Sequence, residues 1–390
     1  MTFASRQVLL LILFRTSRSI AAGMIMLAFP YLVLRVLHYG PVKLGLIYSV
    51  AAIATAVLGL LFGFLADTWG RKRTLVIVGI LLPVSSALVY LSQHLAVLFL
   101  AGILGGYSAT GSLMGGGVGG AAQPIQSAII ADLSTLENRT KYFSVLTFLS
   151  GIFAALGALL AKFFSMDAIF LVATLIALAG LVFLWPLKTS NVRGELRRLD
   201  SKFTIGKFTI TGTLNGFTQG LIVPFLIPFF VIVFHIPRSR MAVDAFWSGG
   251  LAAVAILAAP WLERRMGFLR SMVFTRGIGA ALLVLLPFIH YLALALAIYI
   301  LTPALRIMAL PVQQTALTEM VGQTETGRAL GINQVARLAS SAGAIALTGT
   351  LFEASEIAVP FMLYAGFMAA NLLLYVYFFR TNPIDDRARV

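Results

Sequence analysis

The side chains most able to do chemistry in this sequence are arginines and amides set inside long apolar stretches. Arg15 and Arg18 lie three residues apart, and Asn215 and Gln219 four apart, so each pair shares one face of a helix. Arg306 stands near the middle of the apolar run 291–319, with no interface within reach. Gln126, Gln314, Asn333 and Arg337 complete the polar set. Guanidinium forks and amide donors hold carboxylates and phosphates; they do not by themselves break bonds. For Arg15 and Arg18 two readings stand side by side: snorkelling to headgroups, or facing a central cavity. For the glutamines the alternatives are helix–helix hydrogen bonds and ligand contacts.

Other chemistries find little support. The chain has no cysteine, and its four histidines, His38, His94, His235 and His290, all fall at the ends of apolar runs. No metal-ligand spacing, nucleophile–base pair or Walker loop is present, so neither enzyme, cofactor nor metal site is expected. The fourteen acids fall near helix ends or in loops. Arginines without matching acids favour an anionic or carboxylate-bearing solute over a cation.

Composition says what must position these groups. The 390 residues are 59% hydrophobic and 11% charged, with a mean hydropathy of +0.95, against about 25% charged for a soluble domain. This is an all-α polytopic membrane protein. Helices are expected at about 6–37, 44–66, 74–91, 95–133, 140–163 and 168–187, then 208–235, 242–262, 270–289, 291–319, 328–352 and 357–380. The twelve transmembrane helices divide into an N-terminal six-helix bundle, 1–187, and a C-terminal one, 208–390, joined by a hydrophilic cytoplasmic linker, 188–207. The net charge of +15 reflects topology rather than nucleic-acid binding. Outside the spans, only Arg35, Lys43, Lys162, Arg238 and Arg240 fall on the far side, so both termini are expected in the cytoplasm.

The two halves read as repeats. Gly23 and Gly220, His38 and His235, and Gly70 and Gly267 share one register. Pro124-Ile-Gln126 with Asp132 matches Pro311-Val-Gln313 with Glu319 in a register ten residues shorter. The surplus falls in Gly105–Gly120, which holds eight glycines. An unbroken helix from Leu95 to Leu133 would run about 58 Å, twice the bilayer core. The segment is therefore expected to be either an outer loop or an unwound stretch lining a cavity.

One stretch is more specific. Gly63-Phe-Leu-Ala-Asp67-Thr-Trp-Gly70-Arg71-Lys72-Arg73 turns the chain between the second and third helices. It resembles the loop signature of the major facilitator superfamily, with Gly63, Leu65, Ala66, Asp67, Gly70, Arg71 and Lys72 all matching. The resemblance implies two pseudo-symmetric six-helix bundles, a secondary transporter working by alternating access, and a cavity lined by helices 1, 4, 7 and 10. It also implies a conformational latch of Gly63, Asp67, Gly70, Arg71 and Asp132, with Arg71 paired to Asp132. Glu319 is the repeat mate of Asp132, but Arg264 and Phe268 stand where the second half would need Asp and Arg. The expected protein is a monomer in the plasma membrane that moves a small organic solute, with or without a coupled proton or ion. Multidrug or amphipathic-compound efflux is the alternative, although helix 5 lacks a Gly-Pro signature. An intramembrane enzyme or a lipid flippase on the same fold is more remote.

Overall fold

The computed structural model describes residues 3–107, 120–134, 136–189, 201–321 and 326–379. All of the regular structure there is helical, as a chain in lipid requires, because each span must satisfy its own backbone groups. The helices are α1 (Phe3–Tyr31), α2 (Pro41–Trp69), α3 (Arg71–Leu91), α4 (Leu95–Gly105), α5 (Gln123–Leu133), α6 (Leu136–Leu160) and α7 (Met166–Leu181). After the linker come α8 (Lys202–Ile222), α9 (Leu226–Val233), α10 (Arg238–Leu285), α11 (Leu292–Met320), α12 (Thr326–Glu353) and α13 (Ala358–Phe379).

Among the described residues ten helices are long and apolar enough to cross a membrane. Two further passes complete the twelve. One is α10, whose 48 residues are interrupted at Gly267, where φ is 77°. The Ser271 hydroxyl there reaches the carbonyls of Gly267 (2.6 Å) and Leu262 (3.3 Å), so the chain doubles back. The other is the pass made by α4 and α5 together. As the glycine density implies, no single helix runs from Leu95 to Leu133. α4 ends at Gly105, and Gly106 caps it in the left-handed conformation at φ 59°. Helix resumes at Gln123. Residues 108–119 lie outside the described residues.

Repeat mates adopt the same backbone. Gly70 and Gly267 both have positive φ, 97° and 77°, and each turns the chain between two helices. His38 and His235 are two of the three non-glycine residues with positive φ among those described, both at 53°. Gly23 lets α1 touch α6, and Gly220 lets α8 touch α12. A methyl group at Gly23 would collide with the carbonyl oxygen of Ala154, and one at Gly220 with that of Ser341.

Apolar packing shows where the halves meet. The largest buried cluster draws on both, with Leu44, Ile47 and Phe170 from the first and Phe225, Phe229 and Phe361 from the second. Two smaller clusters lie nearer the Gly70 and Gly267 turns, each within one half. One holds Leu11, Phe14, Leu75 and Ile129; the other holds Phe208, Phe268, Tyr375 and Phe379. The halves therefore share a core at the end bearing His38 and keep separate cores at the end bearing Gly70.

Two close crossings are exposed to a simple test. Gly23→Ala and Gly220→Ala should each overpack a helix crossing and cost about 1–3 kcal/mol, read as a lower melting midpoint of purified protein. Gly59→Ala, with nothing within 4 Å of the added methyl, should show no loss.

Candidate functional site

Proline and a hydroxyl shape the centre of the molecule. Pro303 in α11 has no N–H for the carbonyl of Tyr299, one turn back. The Ser248 hydroxyl of α10 donates to that carbonyl instead, at 3.1 Å. Next to this opened turn stands Arg306, on the wall between two cavities. One lies inside the second half, lined by Asn215 and Gln219 (α8), Arg276 (α10), Thr302 (α11) and Tyr364 (α13). The other lies between the halves, lined by Met26 and Leu27 (α1), Ala155 and Ala158 (α6) and Tyr299 (α11). Both are tight, leaving about 20 and 60 Å³ for the centre of a water-sized sphere, which is room for a few waters. Arg306 meets no carboxylate and no hydrogen-bond acceptor among the described residues.

The first-half arginines turn inward rather than toward headgroups. Arg15 and Arg18 are 8% and 6% exposed. Arg15 donates to the Ser150 hydroxyl (2.6 Å) and to Gln126 Oε1 (3.0 Å), tying α1 to α6 and α5. Arg18 donates to the Gly79 carbonyl of α3 (3.0 Å) and lies over the Phe14 ring. Gln126 thus serves a helix–helix bond, the first of the alternatives open to it.

The second-half residues divide. Asn215, Gln219 and Arg306 come together on one cavity. Arg337 does not line either cavity and donates to Gln334 Oε1 at 2.7 Å. Asn333 is used elsewhere: its Nδ2 donates to the Phe208 carbonyl at 3.2 Å, bracing α12 on α8 beside Gly212. The side chains of Gln314, Glu319 and Asp67 lie outside the described residues. Arg276 was not singled out from sequence, yet it lines the cavity and donates to Gln313 Oε1 at 2.7 Å. Its mid-span position in the third helix of its half was the available signal. Asp244 is likewise buried, the only such carboxylate among the described residues, and accepts from Arg240 at 3.2 Å. Those residues also hold no cluster of groups suited to a metal ion.

At the Gly70 end, Arg71 donates to Asp132 and to the Ala128 carbonyl (3.1 Å), and Lys72 reaches the Trp185 carbonyl (2.7 Å). These contacts all lie within the first half. Gly63 faces open space, so the close helix approach its glycine would permit is not made here.

The His38 end is sealed across the halves. Tyr31 donates to the Ile236 carbonyl (2.9 Å), and Arg35 to the Val231 carbonyl (2.6 Å), with the His235 ring beside it (2.8 Å). Arg238 donates to the Phe164 carbonyl (2.6 Å), Ser49 to that of Ala342 (2.8 Å), and the Val42 amide to Glu353 (3.2 Å). Gly45 and Gly349 let α2 and α12 touch, a methyl on the first lying 3.0 Å from the Cα of the second. The structure is closed on the His38 side.

The model for the Major Facilitator Superfamily matches residues 11–344. No curated protein sequence matches the chain. Among solved structures, the chain is similar to a bacterial homologue of the human lysosomal transporter Spinster in an inward-facing, occupied conformation. That match has a TM-score of 0.77 at 14% identity and covers 99% of this chain and 98% of the other. A D-xylose-proton symporter matches with a TM-score of 0.74 at 16% identity, over 98% of both chains. The human organic anion transporter MFSD10 matches with 0.73 at 14% identity, over 96% of this chain and 100% of its own. These likenesses establish the fold.

The seal can be probed on a background free of cysteine. With a single reporter, Ala155→Cys, in the cavity between the halves, Arg35→Ala should speed labelling from the His38 side. The loss of a charged hydrogen bond predicts a change of about tenfold. An unchanged labelling rate would take Arg35 out of the seal.

Proposed function

We propose that this chain, which belongs to the major facilitator superfamily, moves a small organic solute bearing a carboxylate or other anionic group by alternating access. Membership makes it a multi-pass membrane protein of a transporter family rather than an enzyme. Arg306 carries the finer reading. A guanidinium at mid-membrane costs about 2.5–3.5 kcal/mol on insertion scales, so it must be answered by water, a polar partner or an anion. Here it lines two cavities, and among the described residues no carboxylate lines either of them. The cavity between the halves is walled mainly by Ala, Met and Leu side chains, which suits an apolar body attached to an anionic head. The same apolar wall is what favours the second reading, efflux of amphipathic compounds.

The basic residues around Arg71 support assigning the Gly70 end to the cytoplasm under the positive-inside rule. Both termini then lie on that side, in the plasma membrane. The sealed His38 end faces outward, so the structure corresponds to an inward-facing state. We assign Asp67, Arg71 and Asp132 to a latch that favours closure of the cytoplasmic side, and residues 188–207 to the linker between bundles 1–187 and 208–390.

Two measurements test this reading. Arg306→Ala should nearly abolish substrate binding, and Arg306→Lys should weaken it, because an ammonium keeps the charge and loses the fork. Wild-type binding by Arg306→Ala, or a cationic first substrate, would reverse the charge assignment. Asp132→Asn should cut transport and lower the melting midpoint modestly, since a charge-assisted pair of about 1–3 kcal/mol, formed in this state, would be lost. Full transport in that variant would remove the latch.

A further inference from the structure

The two halves hold their arginines in exchanged places. In the register that pairs Gly23 with Gly220, Arg18 matches Asn215 and Gly79 matches Arg276. In the first half the guanidinium comes from α1 and meets the backbone of Gly79 on α3. In the second half it comes from α10, the counterpart of α3, and the counterpart of Arg18 is an asparagine. The surroundings match as well. Arg18 lies 5.4 Å from the Phe14 ring centre, and Arg276 lies 5.1 Å from that of Tyr375. Gln126 accepts from Arg15, and its mate Gln313 accepts from Arg276.

The halves differ in what is left over. Arg15 and Arg18 spend their N–H groups on Ser150, Gln126 and the Gly79 carbonyl. In the second half, Arg276 Nη1, Arg337 Nε, Asn215 Nδ2 and Thr302 Oγ1 are buried without a hydrogen-bond partner among the described residues. Arg276, Asn215 and Thr302 are 4%, 2% and 3% exposed. These three and Arg306 line one cavity. Arg337 stands close enough for Arg306 and Arg276 both to repel it. Spare donors share this cavity with two guanidinium groups, Arg276 and Arg306, a third, Arg337, adds its charge nearby, and among the described residues no carboxylate lines the space.

We propose that the second half alone holds a divalent-oxyanion site, made by Arg276, Arg306 and Asn215 with Arg337 nearby. The ligand is a phosphomonoester-type or dicarboxylate group. This rests on the anionic reading above and narrows it. Buried donors without acceptors select a group that only accepts hydrogen bonds, and charge-assisted bonds make the match strong. A singly charged ligand would leave two guanidinium groups facing each other in a low-dielectric interior; a doubly charged one leaves one. Arg276 is the specificity-determining residue, because it lines the cavity, its Nη2 is held by Gln313, and its buried Nη1 has no acceptor among the described residues.

The test is thermal unfolding of the purified full chain in detergent at matched ionic strength, titrated with inorganic phosphate, succinate, acetate or chloride. Phosphate or succinate should stabilise the wild type with an apparent affinity about tenfold or more above acetate, and Arg276→Gln should lose about as much. Phosphate ahead of succinate identifies a phosphate-type ligand, and the reverse identifies a dicarboxylate. Arg276→Lys keeps charge and bulk, so it folds if Arg276→Gln does not; it should bind the favoured anion more weakly than wild type. Acetate equal to both divalent anions overturns the divalent site but leaves the anionic reading standing. Wild-type responses to phosphate and succinate in both Arg276 variants overturn the role of Arg276. No stabilisation by any anion, together with wild-type transport in Arg306→Ala, overturns both readings.

Discussion

A positive charge inside a bilayer has to be answered by something, and most of the organisation of this molecule follows from how its buried arginines are answered. Water is scarce at that depth, and an unpaired guanidinium is costly. The first half answers Arg15 and Arg18 from within, through a hydroxyl, an amide and a main-chain carbonyl on three other helices. Those bonds make the half a braced unit. The second half answers its arginines only in part, through Gln313 and Gln334, and among the described residues leaves buried N–H groups of Arg276 and Arg337 without an acceptor. One half braces its arginines internally and the other leaves donors spare, from what reads as the same arrangement of six helices.

The repeats make that contrast interpretable. Positions that set the path of the backbone are shared. Gly70 and Gly267 turn the chain, His38 and His235 end helices in the left-handed region, and Gly23 and Gly220 admit close crossings. Positions that carry charge have diverged. The Gly70 turn is followed by Arg71, which reaches Asp132, whereas Phe268 follows Gly267 and is buried in an apolar cluster. Geometry is therefore held in common while electrostatics distinguishes the halves.

This division also governs what could be read from the sequence. The spans, the turn after Trp69, the repeat register and the break in the fourth helix all follow from hydropathy and glycine, which act locally. The partner of a buried polar side chain is not local. Asn333 and Arg337 share a helix, yet Asn333 braces α12 on α8 while Arg337 bonds within its own helix to Gln334. Gln126 was legible as a buried amide, but only the packing of α1 on α5 shows Arg15 as its donor. Arg276 was visible as a mid-span arginine, and its place on the cavity depended on how the second arm of α10 rotates against α8 and α11. Asp244 sits close to a helix start, where a carboxylate is ordinarily solvated, yet it is buried, a fact the tertiary packing decides and the local sequence does not.

The seal at the His38 end has a property of its own. Four of its acceptors are main-chain carbonyls: those of Ile236, Val231, Phe164 and Ala342. Every amino acid offers a carbonyl, so substitution at those four positions leaves the acceptor in place. The donors are the side chains of Tyr31, Arg35, Arg238 and Ser49, and each can be deleted by a single codon change. Mutational sensitivity of this gate is thus lopsided. Drift on the acceptor side is silent so long as the helices keep their path, while drift on the donor side loosens closure one bond at a time. Selection could set the dwell time of the closed state by adding or removing donors, without disturbing the helices that carry the cavity.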